Sequence, residues 1–207
     1  MKMLGLALAA TAAMMVSIGT VSASATVLCE NNQTSGCTSK HAVGSIESFA
    51  STTTATLSTT GGILEDTCTG STVSGSVTNA GSSTTTVVAS VAAAGFTWSG
   101  CTNTTKTITG GELEFHSTAG SDSGTVTAKG FAVTVGTSFS CVYGAGVGTD
   151  LGTFVPNTST GLGATIAINT VLRRNNEHSN VFCPETTKWV ANYTQTSTTP
   201  IKAVGVS

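Results

Sequence analysis

Apolar and polar residues alternate over short stretches along most of the chain. Residues 69–77 set Gly70, Thr72, Ser74 and Ser76 against Ser71, Val73, Gly75 and Val77. Side chains two apart on an extended chain share a face, so this period reads as a strand with one face on a core. Similar short patterns occur at Ile46, 54–57, 85–92, 139–143, 153–155, 164–172, 189–194 and 201–206. Residues 105–116 and 125–135 read as a longer pair joined by the turn Ala119-Gly120-Ser121-Asp122-Ser123-Gly124. Residues 26–40 read as a polar, cysteine-bearing loop. Past residue 25, no stretch of helical length keeps a 3.6-residue period, and no repeat of fixed length is visible. The pattern predicts an all-β chain folded as an antiparallel β-sandwich, immunoglobulin-like or a related Greek key. Residues 26–207 form one domain in this reading, with two small sub-domains as the alternative.

The start of the chain breaks this pattern. A basic Met1-Lys2-Met3 precedes an uncharged apolar run from Leu4 to Val21, and Ala23-Ser24-Ala25 places small residues at −3 and −1 of a cleavage point. That layout predicts a signal peptide over residues 1–25. Cleavage after Ala25 leaves 182 of the 207 residues. Leu28 before the first cysteine argues against a lipoprotein, whose anchor cysteine follows a small residue.

Export gives the cysteines their meaning. Cys29, Cys37, Cys68, Cys101, Cys141 and Cys183 all follow the leader. An even count in an exported chain predicts three disulfides, and six cysteines allow 15 connectivities. Pairing of sequence neighbours is favoured: Cys29–Cys37, Cys68–Cys101 and Cys141–Cys183. The two longer loops would each contribute about 3–4 kcal/mol by restricting the unfolded chain. No C-x-x-C or Cys/His cluster supports zinc. The expected location is the extracellular medium or the cell surface.

Charge is thin. Without Lys2, seven basic residues stand against ten acidic ones, which gives no electrostatic reason to bind nucleic acid or an anionic membrane. No second stretch reads as a membrane span. Trp98 precedes Cys101, Trp189 follows Cys183, and Phe139 and Tyr143 flank Cys141. Such aromatics are expected to pack on the disulfides in the core.

Several short segments carry a resemblance. They are Val27-Leu28-Cys29 with Cys37, the run Cys68-Thr69-Gly70-Ser71-Thr72-Val73-Ser74-Gly75, and Phe96-Thr97-Trp98-Ser99-Gly100-Cys101. Cys141-Val142-Tyr143-Gly144 and Cys183-Pro184 with Trp189-Val190-Ala191-Asn192-Tyr193 follow. In this order they resemble uncharacterised secreted proteins common in actinobacterial genomes. The resemblance supports the neighbour disulfide pairing. It implies no activity and no catalytic residue.

Candidate chemistry is sparse. There is no G-x-S-x-G elbow. His41, Asp66 and Ser123 occur in the order of a chymotrypsin-like triad, but the sequence around His41 and Ser123 lacks that family's setting. Glu112, Glu114 and His116 alternate along one predicted strand and so share a face, with Leu113 and Phe115 opposite. This polar cluster is a low-ranking candidate for a metal or for paired carboxylates, against an ordinary amphipathic strand. Glu177-His178 and Arg173-Arg174 lie in or beside a polar loop. Gly144-Ala145-Gly146-Val147-Gly148 lacks the helix that a phosphate loop needs. No catalytic residue, metal or cofactor is assigned. The expectation is a non-enzymatic structural, adhesive or binding module of the bacterial envelope or medium. The alternatives are a small-molecule carrier resembling chromoprotein apoproteins, and then a secreted hydrolase.

Overall fold

In the computed structural model, residues 25–30, 37–59, 62, 64–136, 140–156 and 163–206 are described. Residues 1–24, which hold all of the expected leader but Ala25, and Phe139 lie outside them. The chain is all-β, as the alternation predicts, with three disulfides joining Cys29–Cys37, Cys68–Cys101 and Cys141–Cys183. The layered arrangement differs from the expected sandwich: the main sheet closes on itself as an eight-position barrel.

Four positions of the barrel are strands that pair in an unbroken row. They are β13 (Thr165–Arg174), β14 (Thr186–Gln195), the pair β2 (Ile46–Ser51) and β3 (Ala55–Ser58) end to end, and β4 (Glu65–Ala80). β14 shows why they face a core. Thr187, Trp189, Ala191, Tyr193 and Gln195 are buried, while Lys188, Val190 and Asn192 between them are exposed.

The other four positions are segments that break midway. β5 (Val87–Val91) continues as β6 (Phe96–Cys101) after a single 3-10 turn at Ala93–Gly95. β7 (Thr104–Thr109) leads into β8 (Gly111–Ser117), β9 (Gly124–Lys129) into β10 (Ala132–Gly136), and β11 (Cys141–Gly144) into β12 (Thr149–Val155). Their antiparallel ladders run β4–β5–β8–β9–β12–β13 at one end of the barrel and β7–β10–β11–β13 at the other, where β6 pairs with β4. The long pair foreseen at 105–116 and 125–135 is therefore present but broken at Gly110 and at Gly130-Phe131. Closing the sheet removes most of the exposed edges that an open sandwich would carry.

The segment read as a polar loop at 26–40 starts instead with a strand. β1 (Thr26–Glu30) pairs with β15 (Ile201–Gly205) as a separate two-stranded sheet. Thr26, Val27, Leu28 and Cys29 are all buried. Leu28 and Ile201 face the same interior space as Phe49, Val77 and Phe115, so this small sheet plugs the barrel end. Ser117 ties it down, with its N–H donating to Thr26 Oγ1 and its hydroxyl to Ala203 O. A strand covered on both faces loses the alternation by which a half-buried strand is recognised.

Candidate functional site

Among the described residues, the one interruption in the barrel wall lies between β6 and β7. Both strands are laced on their far sides, β6 to β4 and β7 to β10, but no ladder joins them to each other. The gap is bounded at both ends. At one end the turn at Thr102 and Asn103 is held by Asp66, which is completely buried. Its carboxylate accepts from Thr102 Oγ1 at 2.9 Å, from Asn103 N at 2.7 Å and from the Thr105 hydroxyl. The Cys68–Cys101 disulfide pins β6 to β4 beside it. At the other end Gly110 comes so close to the 3-10 turn that a Cβ there would stand 2.3 Å from Val91 O, which only glycine allows.

Between these ends the seam opens into a groove of about 560 Å3. Phe96, Thr97 and Trp98 line one side, and Thr105, Lys106 and Thr107 the other. Consecutive residues point alternately in and out of the wall, so the groove runs along two strand edges rather than over a face. Lys106 is its one charged lining residue. Its size falls within the usual range of small-molecule sites.

Aromatic rings form the inner wall. The Trp98 ring stacks on Phe96 with centroids 5.0 Å apart and planes at 22°. Trp189 lies 5.4 Å from Phe96 and 5.9 Å from Trp98. The Trp98 indole N–H donates to Thr107 Oγ1 at 3.0 Å, a side-chain bridge across the seam where a ladder is missing. Burial raises the pKa of the Tyr143 hydroxyl, and the nearby Arg174 charge partly offsets it. Burial likewise raises the pKa of Tyr193, offset in part by its hydrogen bond with Ser71. Both tyrosines are therefore neutral at physiological pH. Of the aromatics expected in the core, Trp189 and Tyr143 are buried there, as is Tyr193, whereas Trp98 is half-buried at the seam.

Glu112, Glu114 and His116 do share the outer face of β8, with Leu113 and Phe115 buried behind them. Their groups are already engaged: Glu112 with Lys129 Nζ at 3.1 Å, and His116 Nε2 with Thr127 Oγ1 at 3.1 Å and Glu114 Oε2 at 3.7 Å. They form an ordinary polar strand face. Among the described residues, the ligand-type side chains that come within 4.8 Å of one another are Asp66, Cys68 and Cys101. Two of these are joined as a disulfide and hold no thiolate for a metal.

His41, Asp66 and Ser123 each have other partners. His41 is buried, with Nε2 2.5 Å from Glu47 Oε1. The Ser123 N–H bonds Ser121 Oγ within its own turn. Glu177 and His178 are exposed on the loop after β13, where Arg174 bonds Asn176 Oδ1 and Cys183 O. Sequence reasoning missed Glu47, Gln195 and the unlaced seam. Glu47 and Gln195 gave no signal, because single polar residues inside strands look alike whether they face in or out. The Phe96-Thr97-Trp98 segment was visible, but only as a short motif with an aromatic near a cysteine. No protein-family model, curated protein or solved structure matches the chain.

Proposed function

We propose that the protein is a non-enzymatic extracellular binding module, exported by a bacterium of the actinobacterial kind, that engages its ligand at the seam between β6 and β7. The observation that carries this reading is the seam itself, a groove of about 560 Å3 that interrupts an otherwise closed wall and is lined by Phe96 and Trp98. Soluble monomers bury their aromatic rings, and aromatic surface left accessible beside unpaired strand edges favours a partner. The leader-like start and three disulfides support work outside the cell, in the envelope or the medium. The titratable side chains near the groove support binding over catalysis: Lys106 stands without a second charged lining residue, and Asp66 is consumed by the turn it holds.

The test is amide-resolved hydrogen exchange of the oxidised protein, with envelope fragments or spent medium of the producing bacterium added. Thr97, Trp98, Thr105, Lys106 and Ile108 should gain protection with one of the two fractions. Ile108→Glu, which puts a charge at the groove mouth, should abolish that gain while leaving the rest of the barrel unchanged. Protection elsewhere on the barrel, or none with either fraction, would overturn the reading.

A further inference from the structure

Trp98 is a partition between two spaces. On its outer side lies the groove. On its inner side lies a small cavity of about 20 Å3, room for a single water, lined among others by Phe96, Phe131, Tyr143 and Trp189. Phe96, Trp98 and Thr107 line both. The indole thus borders both spaces, held by its stack on Phe96 and one hydrogen bond to Thr107.

Two residues of the inner lining carry unmet donors. Tyr143 and Trp189 are buried, and neither the Tyr143 hydroxyl nor the Trp189 indole N–H has a hydrogen-bond partner within the protein. A buried O–H without an acceptor is destabilising where a phenylalanine would pack equally well. An acceptor brought into this cavity would satisfy it.

We propose that Trp98 is a gate, and that a flat aromatic small molecule of one or two fused rings bearing a hydrogen-bond acceptor takes the indole's seat, accepting from the Tyr143 hydroxyl. This deepens the reading that the seam binds a ligand and rests on it. The inner cavity, at about 20 Å3, is too small for any ring, so a ring seated there needs the indole to swing outward and join the two spaces. That swing breaks a single side-chain hydrogen bond. It breaks no ladder, because none joins β6 to β7. The vacated seat offers Phe96 and Trp189 as walls for another ring. Lys106 at the mouth selects neutral or anionic ligands over cations.

The probes are 2-acetylnaphthalene, an acceptor without a donor, and 2-isopropylnaphthalene, which matches its shape without an acceptor. Two tryptophans give two indole N–H signals, and Trp98→Phe identifies the one from Trp98. In the oxidised protein, 2-acetylnaphthalene should shift that signal and speed its exchange as the bond to Thr107 is lost. It should bind about tenfold tighter than the isopropyl compound, the size of one good hydrogen bond. Tyr143→Phe, which keeps the ring, should erase that preference. Equal binding of both probes, or a preference that survives Tyr143→Phe, would overturn the acceptor assignment. Binding with the Trp98 signal unmoved would overturn the gate. If neither probe binds while Ile108-dependent protection by a bacterial fraction persists, the aromatic ligand is wrong and the seam reading stands. If both are lost, both fail.

Discussion

The Tyr193 hydroxyl donates to Ser71 Oγ at 2.9 Å, and Ser71 Oγ in turn donates to Thr97 O at 3.0 Å. This chain crosses the barrel interior from β14 to β4 and ends on β6, the strand that borders the seam. Both side chains are buried. Ser71→Ala removes the acceptor of a buried phenol and should destabilise the fold by about 1–3 kcal/mol. Tyr193→Phe removes the donor instead and leaves Ser71 its bond to Thr97, so it should cost less. The double variant should recover part of the Ser71→Ala loss, since the unsatisfied hydroxyl is then gone. Urea denaturation of the four proteins measures the coupling. Simple additivity would show that the bond contributes nothing.

The same phenol predicts how the protein fails in base. Tyr143 and Tyr193 are the only two tyrosines of the chain, and both have raised pKa values, mainly through burial. A phenol whose folded pKa exceeds its unfolded value of 10.0 binds its proton more tightly when folded. Its contribution is complete below the unfolded pKa and is lost as pH rises through the folded one. Stability should therefore hold to about pH 10 and decline above it. Tyrosinate absorbance near 295 nm, which here reports these two residues alone, should rise together with the loss of near-UV circular dichroism. Ionisation near pH 10 in a protein that stays folded would refute the burial argument.

Asp66 shows what one buried carboxylate does for the seam. It holds the β6–β7 turn through Thr102, Asn103 and Thr105, all neutral donors. Asp66→Ala leaves these donors without their acceptor and should cost about 3 kcal/mol. Asp66→Asn keeps the shape and one carbonyl oxygen, and should cost about 1 kcal/mol. The alanine variant should also red-shift the emission of Trp98, because the closed end of the seam loosens. An unchanged spectrum would mean that the Cys68–Cys101 disulfide suffices to hold that end.

These particulars explain how much was legible in the sequence. The strands of the barrel were, because Trp189, Ala191 and Tyr193 keep the period of a half-buried strand, and so were the disulfide partners. Barrel closure was not. It depends on β2 and β3, which pair with nearby β4 on one side, also meeting β14 on the other, a pairing between residues more than a hundred apart in the chain. β1 was hidden because both its faces are covered. The polar face of Glu112, Glu114 and His116 was read correctly as a face. The site proposed here was invisible for a different reason. It consists of hydrogen bonds that β6 and β7 do not make, and a one-dimensional pattern gives no sign of a ladder left open between two good strands.

Glu47 is the polar residue on which the plugged end of the barrel depends. His41 Nε2 lies 2.5 Å from its Oε1, and its Oε2 accepts from Gln195 Nε2 at 2.7 Å and from the Ser197 hydroxyl. Gln195 carries the link onward, with Oε1 accepting from Ala164 N and Ile201 N, both at 3.1 Å. Ile201 begins β15, so the carboxylate fixes the segment that delivers the plug. Glu47→Ala strands the buried His41 imidazole, while the Gln195 amide keeps Ser197 Oγ and Thr199 O, and should destabilise the protein by about 3–5 kcal/mol. Glu47→Gln, which retains an acceptor, should cost less. Native-state hydrogen exchange should show faster opening of Leu28 and Ala203 in the alanine variant than of Ile168 and Ala191 in the barrel wall. Uniform acceleration across both sheets would instead mean that plug and barrel unfold as one unit, and that Glu47 stabilises the whole rather than the docking of β1 and β15.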